Sequence, residues 1–194
     1  QRAGYPREKV LGVWWSGAEE DVIPAGDAAK GYFAAGFNLP GTHHPVMKEI
    51  LKHVYDKGKG ELDDKSRIGS IYHTRGVVLG ILTTEAVRVA QNRYGKGQPM
   101  TGEQVRWGLE NLNLDAKRLK ELGASDLMQP LKVTCMDHEG GGAVKFLQWD
   151  GKQWKVVSDW IASDQSIVRP MIEASAAQYA KEKGITPRDC AKEK

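Results

Sequence analysis

The sequence predicts an α/β fold with a largely parallel sheet and a late β-hairpin, and three observations carry this. Short apolar runs, "KVLGVWW" (9–15) and "GYFAAGF" (31–37), read as buried strands. Longer stretches of helical period follow them, and strands interleaved with helices favour parallel pairing. Late in the chain, two β-rich runs flank Asp150-Gly151 in "AVKFLQWDGKQWKVVSDW", the composition of a hairpin turn.

Each element follows in chain order. After the first strand, "SGAEED" reads as loop or helix start, and "IPAGDAAK" (23–30) as a turn with a short helical piece. The second strand gives way to the loop "NLPGTHHP". From Pro45, a residue suited to the first helical position, Val46, Met47, Ile50, Leu51 and Val54 recur at helical spacing until Gly58 stops the helix. "KGKGELDDKS" is a polar, glycine-punctuated loop, and "RIGSIY" (67–72) a short strand or extended lead-in. The clearest helix runs from Thr74 to Asn92, with Leu79, Leu82, Ala86 and Ala90 on one face. Thr101 and Gln104 form a capping-box pattern before another helix. "DAKRLKELG" is a further amphipathic piece ending at Gly123. "LKVTCM" (131–136) reads as a strand, the glycines at 140–142 as a crossover, and 169–183 as the last helix.

The 194 residues suffice for one domain, or for one and a half small ones. With 40% hydrophobic and 27% charged residues the composition is that of a soluble globular protein. The 28 Lys and Arg are spread among 25 acids, for a net charge of +3. There is no concentrated basic stripe, so no nucleic-acid partner is expected. No apolar run approaches the roughly 20 residues that span a bilayer. The opening "QRAGYPREKV" has neither an initiator Met nor a signal-peptide core and reads as a chain beginning mid-sequence.

No nucleophile stands beside a recognisable base, and no Walker loop, GxSxG elbow or Rossmann glycine fingerprint occurs. Catalysis, metals and cofactors are therefore not expected. His43 and His44 lack a third ligand at metal spacing and read as a polar loop. In "CMDHEGGG", strand alternation sends Cys135, Asp137 and Glu139 to one side and His138 to the other, which argues against a compact metal or thiol site. In an oxidising compartment Cys135 and Cys190 can pair and pin the tail; in the cytosol they are two unrelated thiols.

Two places suit a ligand. Trp149 and Trp154 flank the hairpin turn and are expected to pack across strands, and Trp107 into the core. Trp14 and Trp15, followed by Ser16 and Glu19, instead stand at the C-terminal end of a parallel strand, the edge where ligands of open α/β sheets gather. Alternation lets one of the two face a ligand. "IYHTRG" (71–76) precedes the strongest helix, whose start favours an anion. There Arg75 offers a bidentate carboxylate contact, Tyr72 a hydroxyl and a stacking face, and His73 sits between them.

Taken in order, "GVWWSGAEEDVIPAGDAAKGYFAAGF", "IYHTRGVVLGILTTEAVRVAQ", "TGEQVRWGLENLNL", "CMDHEGGG" and "QWDGKQWKVVSDWI" resemble the C-terminal half of periplasmic substrate-binding proteins of the branched-chain amino acid ABC transporter type. The resemblance spans essentially the whole chain. It implies part of a two-lobed fold, with residues 1–36 ending one lobe, 37–143 belonging to the other, and 144–194 returning to the first as hairpin and C-terminal helix. It further implies a periplasmic, non-enzymatic solute-binding component of an importer. Such a protein captures a branched-chain or aromatic amino acid, an aromatic acid or a small amide between lobes and hands it to a membrane permease. A sensor domain of the same fold and a metal or thiol hydrolase are the alternatives. Relatives that bind amino acids place an acid where Trp14 stands. An indole recovers about 0.5–2 kcal/mol from an ammonium by cation–π contact, so a flat apolar or aromatic carboxylate, or a small amide, suits this chain better than an α-amino acid, unless Glu19 or Glu20 reaches back. A lone half exposes apolar edges and is expected to self-associate.

Overall fold

The structure, a computed structural model, describes residues 4–192. In chain order the elements are β1 (Leu11–Gly12), α1 (Glu19–Val22), β2 (Phe33–Gly36), α2 (Pro45–His53), α3 (Ile71–Tyr94), α4 (Gly102–Glu110), β3 (Asn113–Leu114), α5 (Ala116–Glu121), β4 (Leu131–Lys132), β5 (Lys145–Trp149), β6 (Trp154–Val156) and α6 (Gln165–Lys183). Single 3-10 turns cover Trp14–Ser16, Tyr55–Lys57 and Lys65–Arg67, among others.

The α/β class and the hairpin are as the sequence indicates, but the pairing is mostly antiparallel. The main sheet has the order β1-β2-β5-β6, and only β1 and β2 run parallel. The reason lies in the path of the chain. It leaves the sheet at Gly36, makes a long excursion, and re-enters at Lys145 directly opposite Gly36, so β5 must run back along β2. A separate pair, β3 with β4, is antiparallel as well.

Local signals placed the helices well. Pro45 opens α2, and Gly58 ends the turn after it with φ 64°. The Thr101 hydroxyl accepts from the Gln104 N–H while Gln104 Oε1 accepts from the Thr101 N–H, which completes the capping box of α4. Asp150 Oδ1 accepts from the Lys152 and Gln153 N–H groups and tightens the hairpin turn, with Trp149 paired to Trp154 and their rings 5.5 Å apart. Trp107 is half-buried, edge-on to Tyr94 rather than deep in the core.

Three expectations need correction. The strand expected over 9–15 shrinks to Leu11–Gly12, because the Val13 carbonyl accepts from both the N–H and the hydroxyl of Ser16 and closes a 3-10 turn. The strand expected over 131–136 stops at Lys132; Thr134 and Asp137 bond each other's backbone, and the Thr134 hydroxyl also takes the Asp137 N–H. Cys135 therefore sits in a tight turn, where strand alternation does not apply, and it is bonded to Cys190. Finally, α3 begins at Ile71, not Thr74, since Ser70 caps it by accepting from the His73 N–H. "RIGSIY" is accordingly a 3-10 turn and a helix start, with no strand.

Two hydrophobic clusters hold the chain together. One gathers Ala18, Val22, Ala34, Leu39, Ile71, Leu147, Trp149 and Trp154 between the sheet and its neighbours. The other gathers Val78, Leu112, Leu114, Leu119, Leu127 and Met128 around α3, α5 and the β3–β4 pair. The long helix α3 threads both, with Ile71 in the first and Val78 in the second. α4 approaches it so closely that a Cβ on Gly108 would lie 2.1 Å from the Ala86 carbonyl oxygen. Glu85, 3% exposed on α3, meets Arg118 of α5 at 2.6 and 2.9 Å and Arg88 at 2.8 Å.

Candidate functional site

The turn after β1 is built by a contact across the sheet. The Ser16 hydroxyl lies 3.0 Å from the Tyr32 hydroxyl, and the Tyr32 side chain passes so near Gly12 that a Cβ there would fall 1.7 Å from its oxygen. A glycine at 12 thus lets Tyr32 reach Ser16 and hold the turn. Within it Trp14 and Trp15 do not alternate, as they would on a strand. Their rings stack, with centroids 3.9 Å apart and planes at 28°. Trp15 is 66% exposed, and Trp14 is half-buried beneath it, edge-on to Phe37 at 5.3 Å.

Arg75 completes the cluster from the second turn of α3. Its guanidinium stands 4.9 Å from the Trp14 ring centre, 5.2 Å from Phe37 and 5.2 Å from Tyr72. Tyr72 and Arg75 are three residues apart on one helix face, which is why they meet. Nη2 of Arg75 donates to the Trp14 carbonyl at 3.0 Å, and Nε points to Asn38 Oδ1 at 3.5 Å. Asn38, fully buried, is itself locked by donating to the Ile71 carbonyl and Thr74 Oγ1. Burial pulls the Arg75 pKa below the ordinary guanidinium value, while Tyr72 and Asp21 act the other way. Among the described residues no carboxylate lies within ion-pair distance of Arg75. The result is a cation held by aromatic faces and backbone, with its counter-charge unassigned.

Of the remaining sequence candidates, Ser16 shares the turn with the tryptophans, whereas His73 and Glu19 spend their polar atoms on other partners. Ser16 supports the turn from beneath. His73 points to α2's end, with Nε2 2.8 Å from the Tyr55 hydroxyl, and burial lowers its pKa. Glu19 Oε2 accepts from the Ile71 N–H at 2.9 Å, so the helix start expected to attract an external anion is occupied by the protein's own carboxylate. Burial, the largest influence, raises the Glu19 pKa against that hydrogen bond. Glu20 pairs with Arg67. Neither acid reaches back to the tryptophans. The residues missed from sequence are Phe37 and Asn38; the signal for them is a lone aromatic and a lone amide just past a strand, which is weak by itself. Among the described residues no three metal-ligating side chains converge, and no helix is long and apolar enough to cross a membrane.

No protein-family model matches the chain, and no curated protein does. Solved structures do. One, described as an ABC transporter permease from the Pseudomonas fluorescens group, is 46% identical with a TM-score of 0.92, over 97% of this chain and 45% of that one. A branched-chain amino acid ABC transporter protein from Thermus thermophilus with bound valine superposes at TM-score 0.60 with 21% identity, over 81% of this chain and 40% of the other. A substrate-binding protein of an ABC transporter from Aeropyrum pernix gives 0.57 and 16%, over 80% and 38%. The chain spans less than half the length of each. The chain shares the α/β, periplasmic-binding-protein-like fold of these ABC transporter structures.

Proposed function

We propose that this chain forms part of a periplasmic solute-binding component of an ABC importer, and that its Trp14–Arg75 face is one wall of a ligand cleft. The single observation that carries the reading is the Arg75 guanidinium, caged by Trp14, Phe37 and Tyr72 with no carboxylate within ion-pair distance among the described residues. Such a surface suits a small carboxylate with a flat or apolar body. The carboxylate pairs with the cation, and the body lies on the exposed indole of Trp15. The ligand class is thus an aromatic or branched aliphatic carboxylate. The amino acids and amides within the wider expectation bind through the same wall with one fewer charge partner.

The first hydrophobic cluster draws on the stretch before residue 37 and on Leu147, Trp149 and Trp154 of the hairpin, and the second lies wholly within 37–143. This supports a two-lobed division up to the hairpin, whereas α6 and the tail, expected to return to the first lobe, are tied to Glu110 and Cys135 of the middle segment. Leu39 and Ile71, both from the middle segment, also pack into the first cluster and join the two parts. The mechanism is capture by lobe closure followed by presentation to a permease, with no bond made or broken. The Cys135–Cys190 disulfide supports an oxidising, periplasmic setting.

The test is calorimetric titration of the full-length protein with valine, phenylacetate, benzoate and acetamide. Trp14→Ala should weaken the tightest of these by more than tenfold, and Arg75→Gln should weaken carboxylates but spare acetamide. Unchanged affinities in both variants refute the assignment.

A further inference from the structure

Among the described residues α6 is a long helix with no buried residue: Ile167, Met171 and Tyr179 are all more than half exposed. No residue beyond Trp160 belongs to either hydrophobic cluster among the described residues. Something other than apolar burial holds residues 164–192 in place, and the side-chain ties at both ends of the arm converge on the turn around Cys135 and on Glu110 beside it. At the start of α6, Arg169 donates to the Met136 carbonyl and lies 3.6 Å from Asp137. Past its end, Arg188 forks onto Glu110 at 2.7 and 3.0 Å, and two residues on Cys190 is bonded to Cys135. His138, in the same turn as Cys135, also reaches Glu110 at 3.3 Å.

We infer that the Cys135–Cys190 disulfide is a redox latch for this C-terminal arm. Oxidised, it closes a loop across a sequence separation of 55 and keeps Arg188 beside Glu110 at high effective concentration. Its opening needs a dithiol reductant. One thiolate of the reductant attacks a cystine sulfur, forming a mixed disulfide and expelling one cysteine thiolate. The second reductant thiol then resolves it, leaving Cys135 and Cys190 as thiols and the reductant as a cyclic disulfide. The ties that remain include the Arg169 contacts to Asp137 and the Met136 carbonyl and the Arg188–Glu110 pair, in which the arginines are partly solvated and each contact is individually modest. The arm detaches, while the two clusters, to which it contributes nothing, stay folded. This inference is independent of the ligand assignment.

Hydrogen–deuterium exchange on the intact protein, with and without dithiothreitol, tests it. Reduction should speed exchange across 165–190 by tenfold or more and leave α3 and β5 unchanged. Glu110→Gln should change arm exchange by less than threefold when oxidised but add a further increase when reduced. Arm exchange indifferent to reduction overturns the latch, because the arm would then be held by other means. Exchange rising equally in α3 and β5 overturns it too, since the disulfide would then brace the body. The wild-type comparison needs no variant to fold.

Discussion

Glu85→Gln is the sharpest test of how the site's supporting helix is held. Glu85 is 3% exposed, yet its carboxylate takes a two-pronged contact from Arg118 and another from Arg88. Those hydrogen bonds outweigh burial and hold its pKa at about 2 against an ordinary 4.5. A depression of that size corresponds to about 3 kcal/mol favouring the folded, ionised form. Because the folded pKa is the lower one, this stability is fully present above pH 4.5 and is lost as pH falls through about 2. Both arginines are partly exposed and can rehydrate, so the glutamine variant loses the pairing without stranding a bare charge in the core. Urea unfolding at pH 7 should show a loss of about 3 kcal/mol, or roughly 6–12 °C in Tm for a chain of this size. The difference between wild type and variant should shrink steadily from pH 4.5 toward 2. A loss below about 1 kcal/mol at pH 7, or a difference independent of pH over that range, refutes the reasoning.

Glycine substitutions on the same pair of helices should split in sign. Gly108→Ala pushes a methyl onto the Ala86 carbonyl and should destabilise by about 1–3 kcal/mol, whereas Gly76→Ala and Gly80→Ala, with nothing within 4 Å, should each stabilise by about 0.5–1 kcal/mol; thermal melts of the three variants decide. His44 and His73 are both held below the ordinary 6.5, chiefly by burial. The unfolded chain therefore takes up protons first, and stability should fall as pH drops below 6.5; urea midpoints from pH 7.5 to 5 should show a slope that a His44→Gln, His73→Gln double variant lacks.

What the sequence made legible was local. The Thr101 box, the Asp150-Gly151 turn and the Pro45 start each depend on residues within four positions, and each formed as read. The misreadings came from partners far along the chain. Nothing near Trp14 says that Tyr32 will bond Ser16 and turn the strand into a 3-10 helix, where strand alternation does not hold. The start of α3 was missed because Ile68 and Ile71 flank Gly69-Ser70 in a strand-like rhythm, while the capping hydroxyl of Ser70 decides the outcome. Trp14, Trp15, Tyr72 and Arg75 are legible one by one and meet through Arg75, but Phe37 and the buried Asn38, which brace the cluster, carry no motif. Glu19 and His73 stand at positions that suit a ligand, yet Glu19 accepts from the Ile71 N–H and His73 meets the Tyr55 hydroxyl.

That division among the acids bears on the ligand. Three carboxylates follow Trp15 within six residues, yet Glu19 caps α3, Glu20 binds Arg67, and Asp21 accepts from the Ala18 N–H at 2.9 Å. Each satisfies a group of the fold, and although Asp21 is near enough to act on Arg75 electrostatically, among the described residues no carboxylate stands within ion-pair distance of it. A ligand ammonium placed here would meet Arg75 as a like charge and have only π-faces to offset it, at about 0.5–2 kcal/mol. A carboxylate would meet an opposite charge already stripped of part of its water, where the pairing is worth more than at an open surface. On the proposed reading, this face therefore selects for the acid end of its ligand. Any group that recognises an amine has to come from the opposite wall.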